Sequence, residues 1–254
     1  MTAAVAITNL ILGTAYTSYG IMTLLDMQRD RRAGAPFSHF GAAWVTMAFT
    51  CGPHHLLHGI HVGFEGRAPG SADLVAVLIG LPVGVIWLLL RIEAFFGGRG
   101  DRFVSGTPAW LAMAPAAAGA YLAALISWVS RVGIDGFTLP SMMLPNIMLV
   151  IIYMAIGYFL LRTQLRNHQP LGGWSVSGLT LTSVFPTCAA MHGIWVVYAS
   201  TGLYHYDVHG FAIDWLGVPA GLYFLWVVMG AYREAEAQTA RAPRSVVREG
   251  ASVG

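Results

Sequence analysis

The stretch Cys51-Gly-Pro-His-His-Leu-Leu-His-Gly-Ile-His61 carries four of the nine histidines of the chain within an otherwise apolar segment. An α-helix turns by about 100° per residue, so Cys51 and these four histidines fall within about 120° of arc. An ionisable side chain in hydrocarbon is costly and faces the interior of a helix bundle, where it meets a partner. Pro53 would kink the helix and open it where the histidines begin. The stretch therefore predicts a membrane-spanning helix with a metal or haem site on one face.

The composition of the chain is that of a membrane protein rather than a soluble one. Of 254 residues, 56% are hydrophobic and 10% are charged, whereas soluble domains carry about 25% charged residues. The mean hydropathy is +0.62, which predicts a polytopic membrane protein. All 14 basic residues are arginines, so a retinal Schiff base, which needs a lysine amine, is excluded. The arginines are scattered over loops, which argues against nucleic acid as a partner.

Seven apolar segments are long enough, at about 20 residues each, to cross a bilayer as helices. We therefore predict an all-α bundle of seven transmembrane helices within residues 1–232, followed by a polar cytoplasmic tail over residues 233–254. The predicted spans are residues 3–26, 39–62, 73–96, 108–131, 139–162, 174–199 and 211–232.

The distribution of arginine predicts how the bundle is oriented. Cytoplasmic loops of membrane proteins carry an excess of basic residues. Arginines cluster after the first, third, fifth and seventh segments, whereas the alternate loops hold Arg67 and Arg131 alone. We therefore expect the N-terminus outside and the C-terminus in the cytoplasm, in a bacterial or archaeal plasma membrane.

With this orientation, seven histidines lie toward the outer side of the membrane, in three separate stretches of chain. Imidazoles that converge at one membrane depth predict a transition-metal centre there. The predicted metal ligands are His54, His55, His58, His61, His192, His205 and His209. Further candidates are Cys51, Cys188 and Met191 as additional soft ligands, and Asp207 and Asp214 as carboxylates that orient an imidazole.

A short pattern occurs twice in the chain. Thr50-Cys51-x-x-x-His55 in the second segment matches Thr187-Cys188-x-x-x-His192 in the sixth. Residues four apart lie on the same helix face, so each helix could offer a thiolate and an imidazole to one shared ion. Continuing the alignment pairs His54 with Met191, His58 with Trp195 and His61 with Tyr198. A match of this length is compatible with duplication or with chance.

The identity of the metal stays open on the sequence. Imidazole suits copper, iron and zinc, and added thiolate or thioether shifts the preference toward copper or zinc. Met47 and Cys51 beside the histidines would favour copper, whereas imidazoles oriented by an aspartate suit zinc or iron equally well. A b-type haem with His58 and His192 as axial ligands would leave five outer histidines unexplained.

Two classes of function fit such a centre. The first is a metal-dependent membrane enzyme, an oxidoreductase or a hydrolase, acting on a small or lipid-like substrate from the outer leaflet. The second is binding, delivery or transport of copper or zinc, and a haem-containing electron-transfer subunit is a lesser alternative. Transport predicts polar side chains through the inner half of the bundle, where we expect only scattered ones such as Asn9, Asn146 and Thr182. The enzyme is therefore favoured.

Overall fold

The computed structural model describes residues 1–66, 71–106, 141–202 and 208–241, with five isolated positions between 109 and 139. These residues are mostly helical, which confirms the predicted all-α class. The helices are α1 (Thr2–Arg32), α2 (His39–Glu65), α3 (Ser71–Phe95), α4 (Leu144–Asn167), α5 (Val176–Ser200) and α6 (Val208–Arg241). Two short strands, β1 (Phe103–Val104) and β2 (Trp174–Ser175), pair antiparallel.

Four of the helices are long and apolar enough to cross a membrane. These spans are Leu74–Phe95, Ser141–Asn167, Val176–Ser200 and Gly210–Gln238. Helices α1 and α2, at 31 and 27 residues, are long enough but are not among these spans. Hydroxyl and amide side chains interrupt the apolar run of α1, and histidines interrupt that of α2. The predicted span at residues 108–131 lies outside the described residues except for four isolated positions. The count of seven spans therefore stays a prediction.

Helices α2 and α5 begin with the same serine cap. Ser38 Oγ accepts a hydrogen bond from the backbone N–H of Gly41 at 3.0 Å. Ser175 Oγ accepts one from the N–H of Gly178 at 2.9 Å. Each serine satisfies a backbone donor that the first turn of a helix leaves unpaired. The start of both helices is thus fixed by the local sequence.

The six helices form two halves of three helices each, α1–α2–α3 and α4–α5–α6. Within the first half α1 packs on both α2 and α3, and within the second half α4 packs on both α5 and α6. Between the halves, α2 packs on α6 and α3 packs on α5. Exchange of the two halves leaves this pattern of neighbours unchanged, so the bundle has an approximate two-fold symmetry.

The correspondence between the halves extends to single residues. Equivalent residues differ in number by 137, as Gly84 and Gly221 do, or Tyr16 and Tyr153. A Cβ atom added at Gly84 would lie 3.4 Å from Cε1 of Tyr16, and one added at Gly221 would lie 3.4 Å from Cε1 of Tyr153. The two serine caps and the repeated Thr-Cys-x-x-x-His pattern show the same interval. These agreements indicate an internal duplication of a three-helix unit.

Helices α2 and α5 run in the same direction. The rings of Trp44 and Phe185 lie 6.3 Å apart, and further along both helices the rings of His54 and His192 lie 5.7 Å apart. We call the end of the bundle near these histidines the histidine end. The opposite end, where the C-terminal turns of α1 and α3 lie together, is the arginine end.

The middle of the bundle, on the arginine side of the histidines, is filled by aromatic rings. The indoles of Trp44 and Trp87 lie 4.0 Å apart between centroids, and Phe185 and Phe224 lie 5.0 Å apart. All four side chains are buried. Such rings bury large apolar areas and pack edge to face. This core supports the helix faces that carry the histidines.

Candidate metal centre

Three helices bring two imidazoles and one carboxylate together at the histidine end. His54 lies on α2, His192 on α5 and Asp214 on α6, and one potential ligand atom of each lies within 4.8 Å of the others. The residues are 7%, 5% and 1% exposed, respectively. A buried His-His-Asp group of this size could hold a metal ion.

One ion-pair contact and two hydrogen bonds fix the three side chains. Nδ1 of His54 lies 2.8 Å from Oδ1 of Asp214. Nδ2 of Asn146 donates to Oδ2 of the same carboxylate at 2.7 Å. Nδ1 of His192 lies 2.7 Å from Oδ1 of Asn146 and 3.7 Å from Oδ1 of Asp214. Asn146 therefore links the carboxylate to the second imidazole.

The amide of Asn146 determines the tautomer of His192. Because its NH₂ group donates to Asp214, its carbonyl oxygen must accept, so Nδ1 of His192 carries the proton. The remaining nitrogen, Nε2, then holds the lone pair that a metal ion can bind. Orientation of an imidazole by an amide or carboxylate behind it is common at metal sites.

The first half of the bundle contains a matching unit around His55. Nδ1 of His55 lies 2.8 Å from Oδ1 of Asn9, and Nδ2 of Asn9 donates to the carbonyl of Val5 at 2.9 Å. The ring of His55 meets that of Tyr16 edge to face at 5.6 Å.

His192 has the equivalent neighbours in the second half. Its ring meets that of Tyr153 edge to face at 5.5 Å, and in both halves the histidine and its asparagine are 46 residues apart. The Asn–His–Tyr unit is thus a scaffold that the duplication kept in both halves.

The His-His-Asp group forms where the two halves differ. The residue equivalent to Asp214 is Val77, and the residue equivalent to His54 is Met191. Both apolar counterparts are buried. Only one of the two Asn–His–Tyr units therefore has a second imidazole and a carboxylate beside it.

The two thiols lie beside the cluster. Sγ of Cys51 is 3.3 Å from the hydroxyl oxygen of Tyr153, which belongs to the other half. Cys51 and Cys188 are free cysteines, and both line a small cavity between the halves. The complete lining is Cys51, His54, His55, Cys188, Met191, His192 and Trp195. Among the described residues, the atoms close enough to share one ion are those of His54, His192 and Asp214.

The other predicted ligands are distributed as follows. The ring of His58 is buried and packs edge to face on Trp195 at 5.3 Å. His61 is half-buried one turn further along α2. His205 and Asp207 lie outside the described residues, as does the side chain of His209 in the first turn of α6. The roles of His55, His58, His61, His205 and His209 as ligands stay predictions.

Asp214 has a more central position than the sequence suggested. Its Oδ1 lies 2.8 Å from Nδ1 of His54, as an orienting carboxylate would. Its ligand atom also lies within 4.8 Å of the ligand atoms of both imidazoles, so it could serve as the third ligand.

Two asparagines hold positions that differ from the expectation. Asn9 and Asn146 are fully buried and bonded to histidines at the histidine end, not scattered through the inner half. Their common interval of 137 residues was the sequence signal that could have identified them.

Comparison of the chain with protein-family models, curated proteins and solved structures finds no match. The class of molecule is therefore defined by the fold and the site alone. It is a helical protein whose described residues include four helices that could span a membrane and a buried His-His-Asp group that could hold a metal ion.

Proposed function

We propose that this chain is an integral membrane metalloenzyme whose transition-metal ion is held by His54, His192 and Asp214. The observation that carries the proposal is the buried group of two imidazoles and a carboxylate, each supplied by a different helix. Two histidines and one carboxylate leave coordination positions open, as in catalytic zinc and non-haem iron sites. A metal so held supplies Lewis-acid or redox chemistry, so the reaction is a hydrolysis or an oxidation of a small or lipid-like substrate.

The charge balance of the site supports a bound cation. Asp214 is 1% exposed, and burial of an ionised carboxylate is unfavourable unless a positive charge or several donors compensate it. Its two oxygens face His54 and Asn146. A divalent ion bound by this group would balance the charge of the carboxylate.

The donor set favours iron or zinc over copper. Carboxylate and imidazole ligands suit these ions, whereas copper handling usually relies on thiolate or thioether ligands. The alternative function, delivery or transport of copper or zinc, draws support from Cys51, Cys188 and Met191 in the adjoining cavity. The aromatic core below the cavity offers apolar rings rather than polar ligands, which supports a site open to one side.

Haem is the lesser alternative. The indole of Trp195 packs against both histidines that would act as axial ligands, with centroids 5.3 Å from His58 and 5.2 Å from His192. A porphyrin between these imidazoles would have to displace the indole. The position of Trp195 therefore disfavours a b-type haem.

Metal analysis of the purified protein tests the proposal and separates the two classes. We expect about one equivalent of iron or zinc per chain and no Soret band. The double variant Cys51→Ser with Cys188→Ser is expected to keep this metal, because the thiols do not belong to the His-His-Asp group. A folded double variant that has lost its metal would favour copper handling instead.

We further propose seven spans with the histidine end outside. Phe95, in the last turn of α3, lies 4.5 Å from the guanidinium carbon of Arg29 at the arginine end. Asn146, in the first turn of α4, bonds to His192 at the histidine end. The ends that residues 96–143 join thus lie on opposite faces, which supports the predicted span at residues 108–131. The arginine bias then makes the arginine end cytoplasmic.

A reporter experiment checks this topology. A reporter fused after Gly254 is expected in the cytoplasm, and one inserted near Gly70 is expected outside. Alkaline phosphatase and green fluorescent protein report the two sides in opposite ways, so each fusion provides an internal check. The same side for both positions would refute seven spans and the outward-facing site.

A further inference from the structure

The indole of Trp195 carries a hydrogen-bond donor that the metal centre alone does not explain. Trp195 is 2% exposed, and its Nε1–H finds no acceptor within the part of the chain that the structure describes. A buried donor without an acceptor is unfavourable. The side chain lines the cavity that His54 and His192 also line, so an acceptor placed there would lie next to the metal centre.

Aromatic contacts with two metal ligands hold this indole in place. It stacks on the ring of His54 with centroids 4.2 Å apart and an angle of 22° between the planes. The ring of His192 meets it edge to face at 5.2 Å and 88°. The donor is therefore fixed relative to the ion that both imidazoles would bind, which is the arrangement of a preorganised binding site.

Trp195 also breaks the symmetry of the two halves. Its counterpart in the first half is His58. Imidazole can accept or donate a hydrogen bond, whereas an indole can only donate. The half that supplies His192 therefore presents a donor-only group to the cavity, which suits a ligand that accepts hydrogen bonds.

The cavity limits the size of that ligand. Its free space accommodates about one water-sized group. Its walls beside the imidazoles are thiols, a thioether and aromatic rings, which would make poor partners for a cation with a large hydration shell. A small anion or a diatomic molecule bound at an open metal position through one atom would place at most one further atom in this space, beside the indole of Trp195 that lines it.

We propose that the cavity beside the metal is a binding site for an anion or diatomic ligand of one or two heavy atoms, to which Trp195 donates a hydrogen bond. This inference rests on the proposed metal centre and specifies what occupies its open position. It implies that a larger substrate reacts from outside the cavity with a small activated ligand held inside it.

Cyanide binding to the Co²⁺-loaded protein tests this site. Cobalt replaces iron or zinc in such centres and reports its ligands through visible absorption, and cyanide is an anion of two heavy atoms. Loss of one hydrogen bond to a charged group corresponds to about a tenfold change in affinity. We therefore expect Trp195→Phe to bind Co²⁺ normally and to bind cyanide about tenfold more weakly than the unmodified protein.

Trp44→Phe is the matched control. Nε1 of Trp44 is also buried without an acceptor among the described residues, but its indole packs in the aromatic core, apart from the cavity. This variant should keep the cyanide affinity of the unmodified protein. Equal affinity for cyanide in the Trp195→Phe variant and the unmodified protein would overturn the inference while leaving the metal centre intact.

A second measurement covers the case in which Trp195→Phe does not fold. In unmodified Zn²⁺-loaded protein labelled with ¹⁵N in its indoles, cyanide should shift one indole N–H signal, and Trp44→Phe should retain that shift. If cyanide shifts none of these signals, the inference is overturned. A protein that binds neither Co²⁺ nor Zn²⁺ would refute both the metal centre and the ligand site.

Discussion

Replacement of His192 by glutamine is expected to reduce the bound metal to a small fraction of one equivalent, whereas His55→Gln should leave it unchanged. His192 supplies one of the three ligands of the proposed site, and loss of a direct ligand removes most of the affinity of such a site. Glutamine can keep a hydrogen bond to the neighbouring asparagine. Metal per folded chain, measured by mass spectrometry on the monodisperse fraction from size-exclusion chromatography, checks the expectation.

The internal duplication makes His55 a closely matched control. Both histidines are 5% exposed, bond through Nδ1 to an asparagine 46 residues away and meet a tyrosine ring edge to face. They differ in the residues opposite, since the His-His-Asp group of the described residues contains His192 and not His55. Equal loss of metal in both variants would contradict the proposed ligand set, because the metal would then depend on His55 as a further ligand or on the integrity of the scaffold.

The positions of the helices could be predicted well from the sequence. The apolar runs at residues 39–62 and 174–199 correspond to α2 (His39–Glu65) and α5 (Val176–Ser200), because serine caps and apolar length are local signals. The predicted run at residues 108–131 falls outside the described residues except for four isolated positions. Helix α1 is less apolar than its predicted span implied, because its hydroxyl and amide side chains lower its mean hydropathy.

The composition of the metal site could be predicted only in part. Helical periodicity placed four histidines of α2 on one face. That face spans a wide arc, and periodicity does not show which neighbouring helix packs against each histidine. His54 meets Asp214 and His55 meets Asn9, although the two histidines are adjacent in sequence. Their different partners follow from packing between distant segments, which periodicity along one helix does not contain.

The duplication separates scaffold from function within a single chain. Positions that agree between the halves, such as the Asn–His–Tyr units and the serine caps, maintain the packing of three helices. Positions that differ at the same depth include those that could give one half a role of its own. At the centre these are Asp214 for Val77 and His54 for Met191, and the residues of the proposed metal site arise from these differences.

The contact between α1 and α2 gives the second prediction with a large effect. A Cβ at Gly13 would lie 2.7 Å from the backbone nitrogen of Leu56 and 2.8 Å from the carbonyl oxygen of Gly52. Backbone atoms cannot move aside as a flexible side chain can, so Gly13→Ala must separate the helices. We expect the free energy of unfolding to fall by about 3 kcal/mol, which lowers the midpoint of thermal unfolding in detergent by about 10 °C.

The same substitution at Gly230 is the control. Gly230 lies in α6, and a Cβ there would meet no atom within 4 Å. Alanine favours a helix over glycine by about 0.5–1 kcal/mol, so Gly230→Ala should keep or raise the midpoint. Because α2 carries His54 next to this contact, Gly13→Ala should also weaken metal binding. An unchanged midpoint for Gly13→Ala would show that the two helices lie further apart than the structure places them, and the position of the histidine face would have to be revised with them.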